Sequence, residues 1–269
     1  MALLAAALLG VVQGLTEFLP VSSSGHLILG RALFGWDADR MGLPFDVAVH
    51  VGTLLAVLLF FRRDIAAILS AVPAALRFAQ GEDARLAWLI AAGTLPVLVV
   101  GLTLTEILEG ERVRSVETVG AMLVVGAVAL LVAERVGRRN RREASLTMLE
   151  AMLLGVAQTT ALVPGVSRSG ATIAVGMLIG LRRDSAARFG FLLGIPAVLA
   201  AAGKQIVDLV EIGMSRDSAM LFAVGIATSA ATGYATVKYF IRYLAGHSLD
   251  PFAYYRLGLA AIVVVWLLV

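Results

Sequence analysis

The chain has 269 residues, 59% of them hydrophobic and only 15% charged, a balance that keeps a soluble domain of this length out of solution and makes the bilayer the expected solvent. The 22 basic residues outnumber the 19 acidic ones but form no stripe with interleaved aromatics, so no nucleic-acid partner is expected. With no cysteine, disulfides, thiolate metal ligands and thiol catalysis are excluded.

In chain order, the first apolar stretch has no Lys or Arg before Arg31, so it lacks the positive start of a cleavable signal and is expected to belong to the fold. About a dozen apolar residues there run into Pro20, a serine-rich turn, Gly25 and a second short apolar run, which predicts a re-entrant helical hairpin over 3–30 rather than a span. Uncharged runs at 47–61, 86–105 and 118–133 then predict three spanning helices. The middle run holds 20 residues, enough to cross roughly 30 Å of hydrocarbon at about 1.5 Å per residue. An arginine-rich link follows, and after it a second hairpin is expected over 148–181, broken at Pro164 and Ser167-Arg168-Ser169-Gly170. Runs at 189–203, 218–237 and 257–269 supply three more spans. The expected architecture is an all-α polytopic membrane protein, one integral membrane domain over 1–269 with six transmembrane helices and two re-entrant helical hairpins.

The two hairpins look like copies. Leu8-Leu9-Gly10-Val11-Val12-Gln13 recurs as Leu153-Leu154-Gly155-Val156-Ala157-Gln158, and in the same register Ser22-Ser23-Ser24-Gly25 falls on Ser167-Arg168-Ser169-Gly170. Repeat one covers about 1–134 and repeat two about 145–269. Three spans after each hairpin is an odd number, so the copies should have opposite orientations and meet at a site near the midplane. Charges agree by the positive-inside rule. Arg62, Arg63, Arg77, Arg85, Arg135, Arg138, Arg139, Arg141, Arg142, Arg182, Arg183, Arg188, Lys238, Arg242 and Arg256 are expected at cytoplasmic helix ends. Arg31, Arg40, Arg112, Arg114, Lys204 and Arg216 fall on the other side, with hairpin one opening outward and hairpin two inward. Arg168 alone belongs to neither set.

Candidate chemistry sits in the hairpins. The first holds Gln13, Glu17, Ser22, Ser23, Ser24 and His26; the second holds Gln158, Ser167, Arg168, Ser169 and Thr172. Gln13 and Glu17, four apart, share a helix face. Ionisable groups at mid-membrane must be paired, hydrated or ligand-bound. On the bland reading Glu17 and Arg168 are an ion pair that locks the hairpins together. On the functional reading the set suits phosphate: a fork-shaped cation, hydroxyls, and glycine-containing turns that lead into helix N-termini. Glu17 and Gln13 offer oxygen ligands for Mg²⁺ or Ca²⁺, His26 suits proton transfer, and Ser23, which aligns with Arg168 in the duplication, is a candidate nucleophile. Ser22, Ser24, Ser167 and Ser169 read equally as substrate contacts and as helix caps. Asp46 and His50, also four apart, read mainly as interfacial.

The runs Gln13-Gly14-Leu15-Thr16-Glu17-Phe18-Leu19-Pro20-Val21-Ser22-Ser23-Ser24-Gly25-His26 and Pro164-Gly165-Val166-Ser167-Arg168-Ser169-Gly170-Ala171-Thr172 resemble the two signature motifs of bacterial undecaprenyl-diphosphatase, the bacitracin-resistance family. The likeness extends in weaker form to the rest of the chain, including Phe191-Leu192-Leu193-Gly194-Ile195-Pro196. The resemblance implies hydrolysis of undecaprenyl diphosphate to the monophosphate carrier of cell-wall synthesis, bacitracin resistance, a divalent cation, and a site that opens to the outer face of the bacterial inner membrane. It implies catalytic roles for Glu17, Ser23, His26 and Arg168, substrate contacts for Ser22, Ser24, Ser167, Ser169 and Thr172, and metal ligation by Glu17 and Gln13. Many relatives carry Glu where this chain has Gln13, so Gln13 is cast as a neutral ligand. The implied partner is a polyprenyl diphosphate lipid in the bilayer, with the oligomeric state, a homodimer included, left open. An inverted-repeat transporter or flippase of a phosphate-bearing lipid is the competing reading, and an intramembrane serine protease, which has no use for Arg168, a weaker one.

Overall fold

A computed structural model of the chain describes all residues except 37–40, 78–80 and 213–215, and only the backbone helix for 205–212 and 216–217. The expected outward placement of Arg40 therefore lies outside the described residues, as does that of the Arg216 side chain. Twelve α-helices are described: α1 Ala2–Thr16, α2 Ser23–Phe34, α3 Leu43–Phe60, α4 Arg62–Leu76, α5 Glu82–Thr103, α6 Thr105–Glu109, α7 Val116–Val136, α8 Met148–Thr160, α9 Arg168–Leu178, α10 Arg183–Ile212, α11 Arg216–Leu244 and α12 Asp250–Leu268. No strand appears among the described residues. Six helices (α3, α5, α7, α10, α11 and α12) are long and apolar enough to cross a membrane, as the sequence predicts. Many of their large apolar side chains face outward, Val99, Val125 and Val265 among them, as expected where lipid replaces water.

Local chemistry sets the boundaries. Ser22 and Ser167 both adopt positive φ, 74° and 75°, and each hydroxyl accepts from the amide three residues on, Gly25 and Gly170. The same serine cap thus starts α2 and α9 after a break that follows α1 and α8. Helix α8 itself begins with a capping box, in which the Thr147 hydroxyl accepts from Glu150 N and the Glu150 carboxylate accepts from Thr147 N. Arg141 donates to that carboxylate and to the Ile179 carbonyl, which ties the link between the halves to the ends of α8 and α9. Its hydrogen bonds pull the Glu150 carboxyl down to about 2.

Packing is reciprocal between the halves. Helix α1 lies along α11, whereas its counterpart α8 lies along α5; α11 also packs on α3, and α7 pairs with α12. Glycines allow the approach. A Cβ on Gly10 would meet the Gly225 backbone and the Thr228 hydroxyl, and one on Gly155 would overlap the backbone of Gly93. Gly10 and Gly155 are the same position of the duplicated hexapeptide, so both copies use it for the same close crossing with the opposite half.

The charges expected on one side do meet each other: Arg188 with Asp64 and Glu143, Arg139 and Arg183 with Glu134, and Arg135 with Asp250. From the other set, Arg31 and Arg114 share Asp46, and Lys204 pairs with Glu109. Two residues depart from the expectation of surface charge. Arg31 is buried in the last turn of α2 against Asp46, and Arg256, expected at a cytoplasmic helix end, is fully buried in α12. A Gly155→Ala substitution tests the crossing: rigid backbone opposes the new methyl, so stability in detergent should fall by about 1–3 kcal/mol. Gly258→Ala on α12, where the added Cβ meets nothing within 4 Å, should be neutral or stabilising in the same thermal melts.

Candidate functional site

The two breaks, 17–22 and 161–167, lie against one another. The Ser22 hydroxyl accepts from Gly165 N at 3.0 Å, and the Ser169 hydroxyl donates to the Leu19 carbonyl at 2.9 Å, so each turn satisfies a backbone group of the other. Arg256 completes the junction. Its Nη1 donates to Pro20 O and Val166 O at 3.1 and 3.0 Å, its Nη2 to Gly165 O and Met122 O at 2.8 and 3.0 Å, and its Nε to Leu123 O at 3.0 Å. All five N–H groups of the guanidinium are thereby used on backbone carbonyls, three from the turns and two from α7. Gly126 makes room for it, since a Cβ there would overlap the guanidinium.

Glu17 lies where the turns meet, 6% exposed. Its Oε1 accepts from Arg168 Nη2 at 2.7 Å; its Oε2 accepts from Ser23 Oγ at 2.7 Å and Gln13 Nε2 at 2.9 Å, and lies 3.3 Å from His50 Nε2. The Glu17–Arg168 pair of the bland reading is therefore present and does join the two breaks. It also faces a cavity of about 360 Å³, so the pair is not sealed in the core. Gly194 gives Arg168 its place, because a Cβ at that position would occupy the guanidinium. This glycine sits in the 191–196 run that the sequence singles out.

The cavity is polar at one end and apolar along its length. Glu17, Ser23, Ser24, His50, Gln158, Ser167 and Arg168 line the inner end. Leu98, Leu102, Val198 and Ala201, among others from α5 and α10, form the apolar wall, and the more exposed charges Arg114, Glu109 and Lys204 mark the rim. An anion bearing a long apolar tail matches this arrangement: cation and hydroxyl donors for the head, hydrocarbon for the tail.

Not every candidate reaches the cavity. Ser24 and Ser167 line it, but Ser22 and Ser169 cross-link the turns, and Thr172 turns its hydroxyl back to the Arg168 and Ser169 carbonyls. Gln13 is buried behind Glu17. His26 stands apart from this group. Its Nδ1 donates to Ser22 O at 2.7 Å and its Nε2 pairs with the Tyr255 hydroxyl at 2.7 Å, with the two rings stacked at 5.7 Å. Both nitrogens are engaged away from Glu17. The imidazole next to Glu17 belongs to His50, read from sequence as interfacial, which the helical spacing aligns with Asp46 through an Nδ1–H to Asp46 O bond of 2.6 Å.

Arg256 escaped the sequence reading although a signal existed. The uncharged run 257–269 has only 13 residues, too short to cross roughly 30 Å. A full span has to extend back through Arg256 to Asp250, as the observed 19-residue helix does.

The fold and site define a multi-pass helical membrane protein with a phosphate-compatible polar centre enclosed in its apolar core. Residues 6–262 match the family model described as "Bacitracin resistance protein BacA", and the chain belongs to that family. It is 49% identical over 269 residues to a protein named undecaprenyl-diphosphatase from Rubrobacter xylanophilus, covering 99% of this chain and 98% of the relative. Proteins of the same name from Trichlorobacter lovleyi and Nitrosococcus oceani are 42% and 44% identical, with 96% and 94% of this chain and 94% and 95% of each relative covered.

Replacing Arg256 by Lys separates a backbone staple from a surface charge. An ammonium has three donors, so at least two of the five carbonyls lose their partner at about 1–3 kcal/mol each. The melting temperature in detergent should drop strongly, and activity per molecule should fall with it; an unchanged melt would mean that the turns do not depend on Arg256.

Proposed function

We propose that this protein hydrolyses undecaprenyl diphosphate to undecaprenyl phosphate and inorganic phosphate, recycling the lipid carrier of cell-wall synthesis and conferring bacitracin resistance. The observation that carries the reading is the meeting of Glu17, Ser23 and Arg168 at the inner end of a cavity with an otherwise apolar wall. The names of its relatives support the substrate and the reaction.

In this reading the diphosphate enters head first and Arg168 presents parallel N–H donors to its oxygens. Glu17 holds the Ser23 hydroxyl at 2.7 Å and takes the proton of the oxygen that attacks the terminal phosphorus. That oxygen is Ser23 Oγ, or a water held in the same place by the same carboxylate. As the new P–O bond forms, the bond to the bridging oxygen breaks and the prenyl monophosphate leaves; if Ser23 attacks, water then releases phosphate from the serine. His50, in contact with Glu17, takes the proton-transfer role that the family likeness gives to His26. His26 instead holds the Ser22 carbonyl, and with it the turn that presents Ser23.

The donors that fit a divalent cation are Glu17 and Gln13 Oε1, a buried acceptor with no hydrogen-bond partner. No group of three or more His, Asp or Glu residues suited to a metal gathers among the described residues, so diphosphate oxygens and water would complete the shell, as is common for Mg²⁺. Such a cation supplies charge neutralisation on the phosphate oxygens.

The finer architecture is part of the same proposal. The matched serine turns and the reciprocal α1/α11 and α8/α5 packing support two re-entrant hairpins in an inverted-topology repeat. With the arginine-rich link on the cytoplasmic side of the bacterial inner membrane, the rim at Arg114 and Lys204 opens to the outer face.

Purified protein should release phosphate from a polyprenyl diphosphate, and a chelator should abolish the release. Transport of the labelled lipid without phosphate release under any divalent cation would favour the carrier reading instead. Arg168→Lys should stay folded yet lose about 10²-fold in turnover, because an ammonium keeps the charge but not the two-donor geometry; a fully active Lys variant would remove the phosphate-clamp role. For topology, a cysteine placed at Asn140 should resist an impermeant thiol reagent in intact cells, and labelling there would overturn the inverted arrangement.

A further inference from the structure

Gln158 lines the polar end of the cavity on α8, is 1% exposed, and has no hydrogen-bond partner at either Nε2 or Oε1. A buried carboxamide left unpaired at both atoms is costly, and native proteins rarely retain one without a use. The duplication explains how it arose. Its counterpart Gln13 has Glu17 four residues on and donates to it at 2.9 Å, whereas four residues after Gln158 stands Leu162, itself part of the cavity lining. The second copy has kept the amide and lost its intramolecular acceptor.

We propose that Gln158 is a diphosphate-binding residue, whose Nε2–H donates to an oxygen of the lipid diphosphate while its Oε1 accepts from a water at the same site. The inference rests on the hydrolase reading and adds a contact to it. The terminal torsion of a glutamine is broad, so a turn of the amide brings it to the cavity without moving α8. A neutral donor suits this position. Arg168 already supplies the positive charge that faces the diphosphate, and Glu17 offsets part of it, so an amide adds geometry without changing the balance.

The test compares Gln158→Leu and Gln158→Glu with wild type in two measurements: hydrolysis of a polyprenyl diphosphate, and thermal melts with and without inorganic pyrophosphate. The Leu variant removes two unpaired polar atoms, so its melting temperature without ligand should be equal or higher. Its kcat/KM should nevertheless fall by about 10- to 100-fold, the loss of one hydrogen bond to a charged group, and pyrophosphate should stabilise it less than wild type. The Glu variant, which sets a carboxylate against the diphosphate, should lose more. A Leu variant with wild-type kcat/KM and a wild-type pyrophosphate shift overturns the inference and leaves the hydrolase reading intact; so does one that melts lower and keeps its activity per folded molecule, since the amide would then be structural. A wild-type protein that releases no phosphate from the lipid overturns both.

Discussion

Everything in this protein depends on satisfying the backbone of two broken helices inside an apolar core. Non-helical chain at membrane depth has N–H and C=O groups that lipid cannot serve. The two turns solve this for each other through Ser22 with Gly165 N and Ser169 with Leu19 O, and Arg256 closes the remaining carbonyls from α12. A guanidinium suits the task because its five donors are fixed in one plane and can be spent on carbonyls that no carboxylate approaches. The charge stays uncompensated by any acid in that contact set, so the partial negative charges of five carbonyl dipoles take the place of an ion-pair partner.

The proposed catalytic centre grows out of that joint. Because the turns are held together, Glu17 of one and Arg168 of the other meet without a scaffold of their own, and the same ion pair is both a lock and the polar floor of the cavity. A bare guanidinium there would be expensive, and so would a bare carboxylate. Paired, each offsets the other's charge and holds it in place.

Duplication followed by divergence gives the centre its asymmetry. Equivalent positions carry Ser23 and Arg168, Glu17 and Leu162, and His26 and Ala171. One copy therefore carries the hydroxyl and the carboxylate, the other the cation. At Gly10 and Gly155 the two halves keep the same close crossing, and at Ser22 and Ser167 the same helix cap at positive φ.

The sequence by itself determined the solvent, the six spans, the duplicated motif and the residues Glu17, Ser23 and Arg168, because these rest on local composition and on exact register between copies. It also showed the 191–196 run, though not that Gly194 leaves space for a guanidinium. Tertiary structure alone decided which serine hydroxyls face the cavity and which tie the turns, since the matched pairs Ser22 and Ser167, and Ser24 and Ser169, take opposite roles in the two copies. It placed His50 beside Glu17 and His26 against Tyr255, because a histidine close in sequence to Ser23 is turned away by the first helical turn, while one from α3 packs across. It moved Arg256 from a helix end to the centre, since a charge reads as surface until the five carbonyls that satisfy it, distant in sequence, come together in space.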